Sequence, residues 1–184
     1  MTDIDIDFAD RAPALEGLRY AFAVDRGRKR RRHGSGVYFH DIPVDPIDGW
    51  AVWDHKEAER RGYFKLDFLH NSIYAPVRDT AHLDLLMRDP PWEAFEHSAI
   101  VHQLAHVSNH FDIVQMIHPT SIEDLAVVLA LPRPGKLHLI GRSRAEIDQE
   151  IWLPSKTYYY KRPHAIAYAM AVVVQLNLMI ENSV

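Results

Sequence analysis

Apolar and acidic residues alternate strictly near the start of the chain, in Asp3-Ile4-Asp5-Ile6-Asp7-Phe8. A period of two predicts a strand with Ile4, Ile6 and Phe8 on one face and Asp3, Asp5 and Asp7 on the other. The apolar face suits a core. The acidic face sets carboxylates side by side, where like charges repel unless a cation offsets them. A second stretch, Gly62-Tyr63-Phe64-Lys65-Leu66-Asp67-Phe68-Leu69, is apolar with one aspartate inside it and also reads as a strand. A charge inside an apolar strand needs a partner. That partner is either a local Arg or Lys, or a cation shared with Asp3 and Asp5 on a neighbouring strand.

Other segments follow the same logic. Leu15, Leu18, Ala21 and Phe22 stand at helical spacing and predict a helix over 10–24, with Asp10 as its N-cap. The segment from His33 to Phe39 reads as a glycine turn feeding a strand over 37–40, and 51–53 as a further short strand. Residues 56–62 predict a short polar helix or turn. The pattern over 74–110 is helical, broken at Pro90-Pro91, and places His102, His106 and His110 on one helix face. Such a trio could hold a transition metal, but a plain polar face explains it more simply. Ser121 followed by Asp124 predicts a capped helix that stops at Pro132-Arg133-Pro134-Gly135. Residues 165–179 predict a strongly apolar, buried last helix. Together these patterns predict an α/β fold, a mixed sheet with helices packed on it, and, at 184 residues, a single domain over 1–184.

Composition narrows the chemistry. The chain has no cysteine, which excludes disulfides, thiolate catalysis and zinc–thiolate sites. Its net charge is −4, so nucleic-acid binding must come from a local patch. The run Arg26-Gly27-Arg28-Lys29-Arg30-Arg31-Arg32 supplies such a patch and reads as a phosphate-contacting or solvated loop. Tyr158-Tyr159-Tyr160-Lys161-Arg162 interleaves aromatic and cationic residues, which suits stacking on bases or a packing edge. The start of the chain is acidic rather than basic, unlike a signal peptide, and the apolar stretch over 165–180 is interrupted by Gln175 and Asn177. The expected setting is the cytoplasm, without a membrane.

Several of these stretches, in order, resemble the C-family replicative polymerases, the α subunits of bacterial DNA polymerase III. Thr2-Asp3-Ile4-Asp5-Ile6-Asp7-Phe8 resembles the family's Pro-Asp-x-Asp-x-Asp-Phe motif. Leu15-Glu16-Gly17 and Arg32-His33-Gly34-Ser35-Gly36-Val37 are similar to its Leu-Glu-Gly and His-Ala-Ser/Ala-Gly-Val segments. Gly62 through Leu69 resembles the motif that carries its third catalytic aspartate. His118-Pro119-Thr120-Ser121-Ile122-Glu123-Asp124-Leu125, continuing to Gly135, resembles a further segment, and Lys161-Arg162-Pro163-His164-Ala165-Ile166-Ala167-Tyr168-Ala169 another. The departures are His70-Asn71 in place of Gly-Leu, Lys136 in place of proline, and a fingers insertion cut to about two dozen residues. The family's upstream Gly-Ser motif has no counterpart in the sequence.

The resemblance implies a polymerase-β-like nucleotidyltransferase palm, with remnants of fingers over about 75–160. It implies Asp3, Asp5 and Asp67 as metal ligands and catalytic residues for two Mg²⁺ ions, or Mn²⁺. It implies Lys65, Arg133, Lys161, Arg162 and His164 as nucleotide-side residues. The cationic run then supplies the DNA contacts, through Arg26, Arg28, Lys29, Arg30, Arg31 and Arg32. The implied activity is dNTP addition to a DNA 3′ end, on a primer–template and alongside other replication proteins. The alternative is a non-catalytic DNA-binding or replisome-interacting protein derived from such a palm.

Overall fold

The computed structural model describes residues 4–26 and 29–183, which pack as two compact units, Met1–Ala75 and Pro76–Val184. Residue 75 is also where the sequence pattern turns from strands to helices.

The first unit is built on a four-stranded mixed sheet. β1 spans Ile4–Phe8, α1 Arg11–Leu15, β2 Ala21–Arg26, β3 Arg30–Tyr38, α2 His55–Arg60 and β4 Leu66–His70. The strand order is β1-β4-β3-β2. β1 and β4 run parallel, and the other two pairings are antiparallel. Alternation assigns the two faces. Leu15 of α1 packs with Val37 and Phe68 on one face, joined by Ile6, Phe8, Phe22 and Leu66. Ala58 of α2 packs with Ala21, Ala23 and Tyr38 on the other. Asp10 caps α1 by accepting the Ala12 N–H at 3.0 Å, and Asp54 caps α2 through the N–H groups of Lys56 and Glu57.

Three expectations are corrected in this unit. The helix expected over 10–24 ends after one turn, because Gly17 adopts φ +74° and Ala21–Arg26 extends as β2. The helical spacing of Ala21 and Phe22 is coincidental: Ala21 and Ala23 serve one face of the sheet while Phe22 serves the other. The cationic run is not wholly a loop, since Arg26 ends β2 and Arg30–Arg32 open β3 as a hairpin. The strand expected over 51–53 reduces to isolated bridges, Phe22 with Trp50 and Val44 with Ala51.

The second unit is helical. It contains α3 Thr80–Leu86, α4 Ser98–Val101, α5 Phe111–Ile117, α6 Ile122–Ala130, α7 Arg144–Glu150 and α8 Arg162–Glu181, so the described residues hold eight helices in all. The expected cap is present: Ser121 Oγ accepts the Asp124 N–H at 3.1 Å. Leu125 through Ala130 are all buried, and α6 packs with Ala165, Ala169, Val172, Val173 and Leu176 of α8 in the core. α8 is long and apolar enough to cross a membrane by length and composition alone, and eight of its residues are buried.

The expected histidine face does not form. α4 ends at Val101 with His102 as its C-cap, His106 takes φ +65°, and His110 is the N-cap of α5. A left-handed residue interrupts any continuous helix, so the three rings share no helix face.

Candidate functional site

The most constrained polar group of the first unit is Asp67. It is only 7% exposed. Its neighbours Leu66 and Phe68 pack on the α1 face, so alternation turns Asp67 to the α2 face. There its Oδ1 accepts from Ser35 Oγ at 2.7 Å and its Oδ2 accepts from Lys65 Nζ in an ion pair. Burial alone would raise the carboxyl pKa; the bonds from Lys65 and Ser35 and the Lys65 charge outweigh it, so the pKa lies below the ordinary value. Asp67 is therefore ionised at neutral pH. The parallel register sets position 5 of β1 directly opposite position 67 of β4. Such partner positions lie about 4.8 Å apart along the hydrogen-bonding direction.

An irregularity in β3 brings the other groups in. Phe22 pairs with Val37 and Val24 with Arg32, so one residue of β2 spans four of β3, His33 to Gly36. His33 and Ser35, two apart, both reach Asp67. His33 Nδ1 lies 3.6 Å from Asp67 Oδ1 and accepts the Gly36 N–H at 2.9 Å. Gly36 pairs with Asp67 across β3 and β4. A Cβ there would stand 2.7 Å from Lys65 Cδ and 3.0 Å from Ala23 Cβ. Glycine thus leaves room for the Lys65 stem. Gly36→Ala is expected to displace Lys65 from Asp67 and cost about 1–3 kcal/mol of overpacking, read as a lower midpoint in denaturant unfolding. Tyr38, also on this face, keeps a buried hydroxyl without a hydrogen-bond partner; burial and the charges of Asp54, Asp67 and Glu59 push its phenol up to about 12.

Burial and the Lys65 charge pull the His33 pKa down, against the opposing pull of Asp67 and Asp25. The folded protein thus favours neutral His33 and ionised Asp67. As pH falls through about 6.5, the unfolded chain protonates this histidine before the folded one does, and stability drops. Asp67 contributes stability above about pH 3.9 that is lost as pH falls through its folded value. Unfolding at a series of pH values should show both windows, and His33→Gln should flatten the upper one.

His33 also belongs to a second grouping. Asp25 of β2, His33 of β3 and His55 of α2 bring one ligand atom each within 4.8 Å of one another. His55 Nδ1 stands 2.9 Å from Asp25 Oδ1, and the His33 and His55 rings meet edge to face at 5.5 Å. The sequence offers no signal for this set, because the three positions follow no ligand spacing.

The other expected residues divide as follows. Asp3 and Arg28 lie outside the described residues, and Asp5 and Arg26 are described by their strand positions. Lys29, Arg31 and Arg32 are exposed, with Arg32 stacked on Phe22 at 4.6 Å. Arg30 is used internally: it pairs with Asp48, donates to the Ala51 carbonyl at 3.1 Å and stacks on Trp50. Arg133, Lys161, Arg162 and His164 belong to the second unit. Arg133 donates to the Leu129 carbonyl at 3.1 Å, at the end of α6, and stacks on Tyr160. Lys161 is the N-cap residue of α8, and Lys161 and Arg162 are exposed. Lys136 is buried, its Nζ donating to the carbonyls of Glu150 and Leu153 at 2.6 and 2.8 Å, and so pins the segment after α7.

No family model matches the sequence, and a search of curated proteins finds no match.

Proposed function

We propose that the chain is a minimal nucleotidyltransferase with a polymerase-β-like palm, adding dNTPs to a DNA 3′ end, as its resemblance to C-family polymerases implies. The observation that carries this reading is the β1–β4 register, which pairs position 5 with a buried, ionised Asp67. Two aspartate positions facing each other on adjacent strands are a scaffold for hard divalent cations. The donor chemistry fits Mg²⁺ or Mn²⁺, since a carboxylate charged at neutral pH needs no deprotonation to bind. Asp3, Asp5 and Asp67 would hold the ions, which when bound offset triphosphate charge and make a primer hydroxyl more acidic.

The remaining roles belong to the chain itself. Ser35 Oγ fixes one oxygen of Asp67, and Lys65 holds the other while offsetting its charge. Lys65 is then placed to exchange the carboxylate for a phosphate of the incoming nucleotide. As the resemblance implies, Arg133, Lys161, Arg162 and His164 are proposed nucleotide-side residues, and Arg28, Lys29, Arg31 and Arg32 the proposed DNA contacts. The proposed setting is the cytoplasm, on a primer–template and with other replication proteins.

The Lys65–Asp67 pair also favours a second reading. A carboxylate already neutralised within the chain suits a DNA-binding or replisome-interacting protein without catalysis. Primer extension with dNTPs separates the two. A labelled primer should lengthen only with Mg²⁺ or Mn²⁺ present. No extension with either ion, alone or with other replication proteins, together with retained DNA binding, selects the second reading.

A further inference from the structure

We propose that Asp25, His33 and His55 form a binding site for a divalent transition metal, with Zn²⁺ the fitting ion. The three residues come from β2, β3 and the first turn of α2. Two imidazoles and one carboxylate suit Zn²⁺, whereas Mg²⁺ prefers oxygen ligands throughout. One pair of ligand atoms, His55 Nδ1 and Asp25 Oδ1, stands at 2.9 Å. Zinc bonds of about 2.0–2.1 Å in a tetrahedron put neighbouring ligands about 3.3 Å apart. A slight spreading of this pair, with the His33 ligand atom already within 4.8 Å of both, would complete the set.

A second observation points to a ligand. His55 Nδ1 is enclosed and faces Asp25 Oδ1 at 2.9 Å without the alignment of a hydrogen bond. A misaligned polar contact satisfies an enclosed nitrogen poorly, and a cation shared with Asp25 would satisfy both atoms. His33 Nδ1 currently accepts the Gly36 N–H at 2.9 Å and the Ser35 N–H at 3.3 Å. Metal binding gives up these contacts at either nitrogen: ligation at Nδ1 uses its lone pair, and ligation at Nε2 moves the ring proton onto Nδ1. Two neutral hydrogen bonds are a modest loss beside a metal–imidazole bond. In the second case the nearby acceptor is Asp67 Oδ1, 3.6 Å away. A carboxylate behind a ligating histidine is a common way to orient the ring. The metal would tie α2 to the β2–β3 hairpin, and three protein ligands leave a fourth position open.

The proposal does not rest on the nucleotidyltransferase reading, and its test uses neither DNA nor nucleotide. The full chain, stripped with chelator, is titrated with Zn²⁺ by calorimetry and with Co²⁺ by visible absorption. One Zn²⁺ per chain is expected, retained in excess Mg²⁺ and raising the thermal midpoint, with the intense bands of low-coordinate Co²⁺. His55→Ala and His33→Gln should each weaken binding at least about 100-fold, the upper end of what loss of a residue behind a ligand costs. Asp25→Asn, a half-exposed hairpin change, carries the same expectation should a histidine variant fail to fold. Absence of saturable Zn²⁺ uptake by the folded parent would overturn the site. So would unchanged affinity in a folded variant of any of the three residues.

Discussion

Asp67→Asn should abolish primer extension, by at least about 10³-fold in kcat, while leaving the protein folded. Asparagine keeps the volume and one acceptor for Ser35 Oγ, so the local packing survives. It removes the charge that would fix a cation. Asp3→Asn and Asp5→Asn should act alike, and their effects should not add, because carboxylates and metals working as a unit fail together. Asp7→Asn should be milder. Its carboxylate accepts from Asn71 Nδ2 at 3.2 Å, a tie between the end of β1 and the turn after β4. The Asp67 variant should also be somewhat less stable than the parent, because Lys65 loses its partner. Circular dichroism beside a gel-based extension assay reads both effects. Extension that survives Asp67→Asn would sink the assignment of Asp67 as a metal ligand.

The second large effect concerns DNA affinity. Neutralising Arg28, Lys29, Arg31 and Arg32 together should lower the log–log salt slope by roughly 3, since each phosphate contact contributes about 0.7–0.9. Over a fourfold change in salt, the parent should then lose about two orders of magnitude more affinity than the variant. Arg30 is left out because its charge is spent on Asp48 and the Ala51 carbonyl. Arg30→Gln should lower stability rather than the slope, by loosening the 45–51 loop from β3. Fluorescence anisotropy on a short duplex at several salt concentrations gives the slope. An unchanged slope in the fourfold variant would mean that these cations are merely solvated.

Features that depend on near neighbours could be read along the chain. Alternation made β1 and β4 legible, because side chains on a strand change face at every residue whatever lies across from them. The Ser121 cap and the buried last helix were legible for a similar reason, since capping and apolar density act within a few residues. For Asp67 the sequence left a local cation and a shared metal ion both open, and the structure supplies the local one, Lys65.

Features that depend on pairing across long stretches of chain emerged only on folding. Ala21–Arg26 had helical spacing, but an extended segment could bury residues on both sheet faces and hydrogen-bond to β3, which outweighed the spacing. The pairing of position 5 with position 67 is a choice of register, and a slip of one residue would turn Asp67 to the opposite face. The irregular stretch from His33 to Gly36 aims His33 and Ser35 at Asp67 and leaves His33 near Asp25 and His55. No spacing along the chain encodes that meeting, because it arises only once three separate elements are packed against one another.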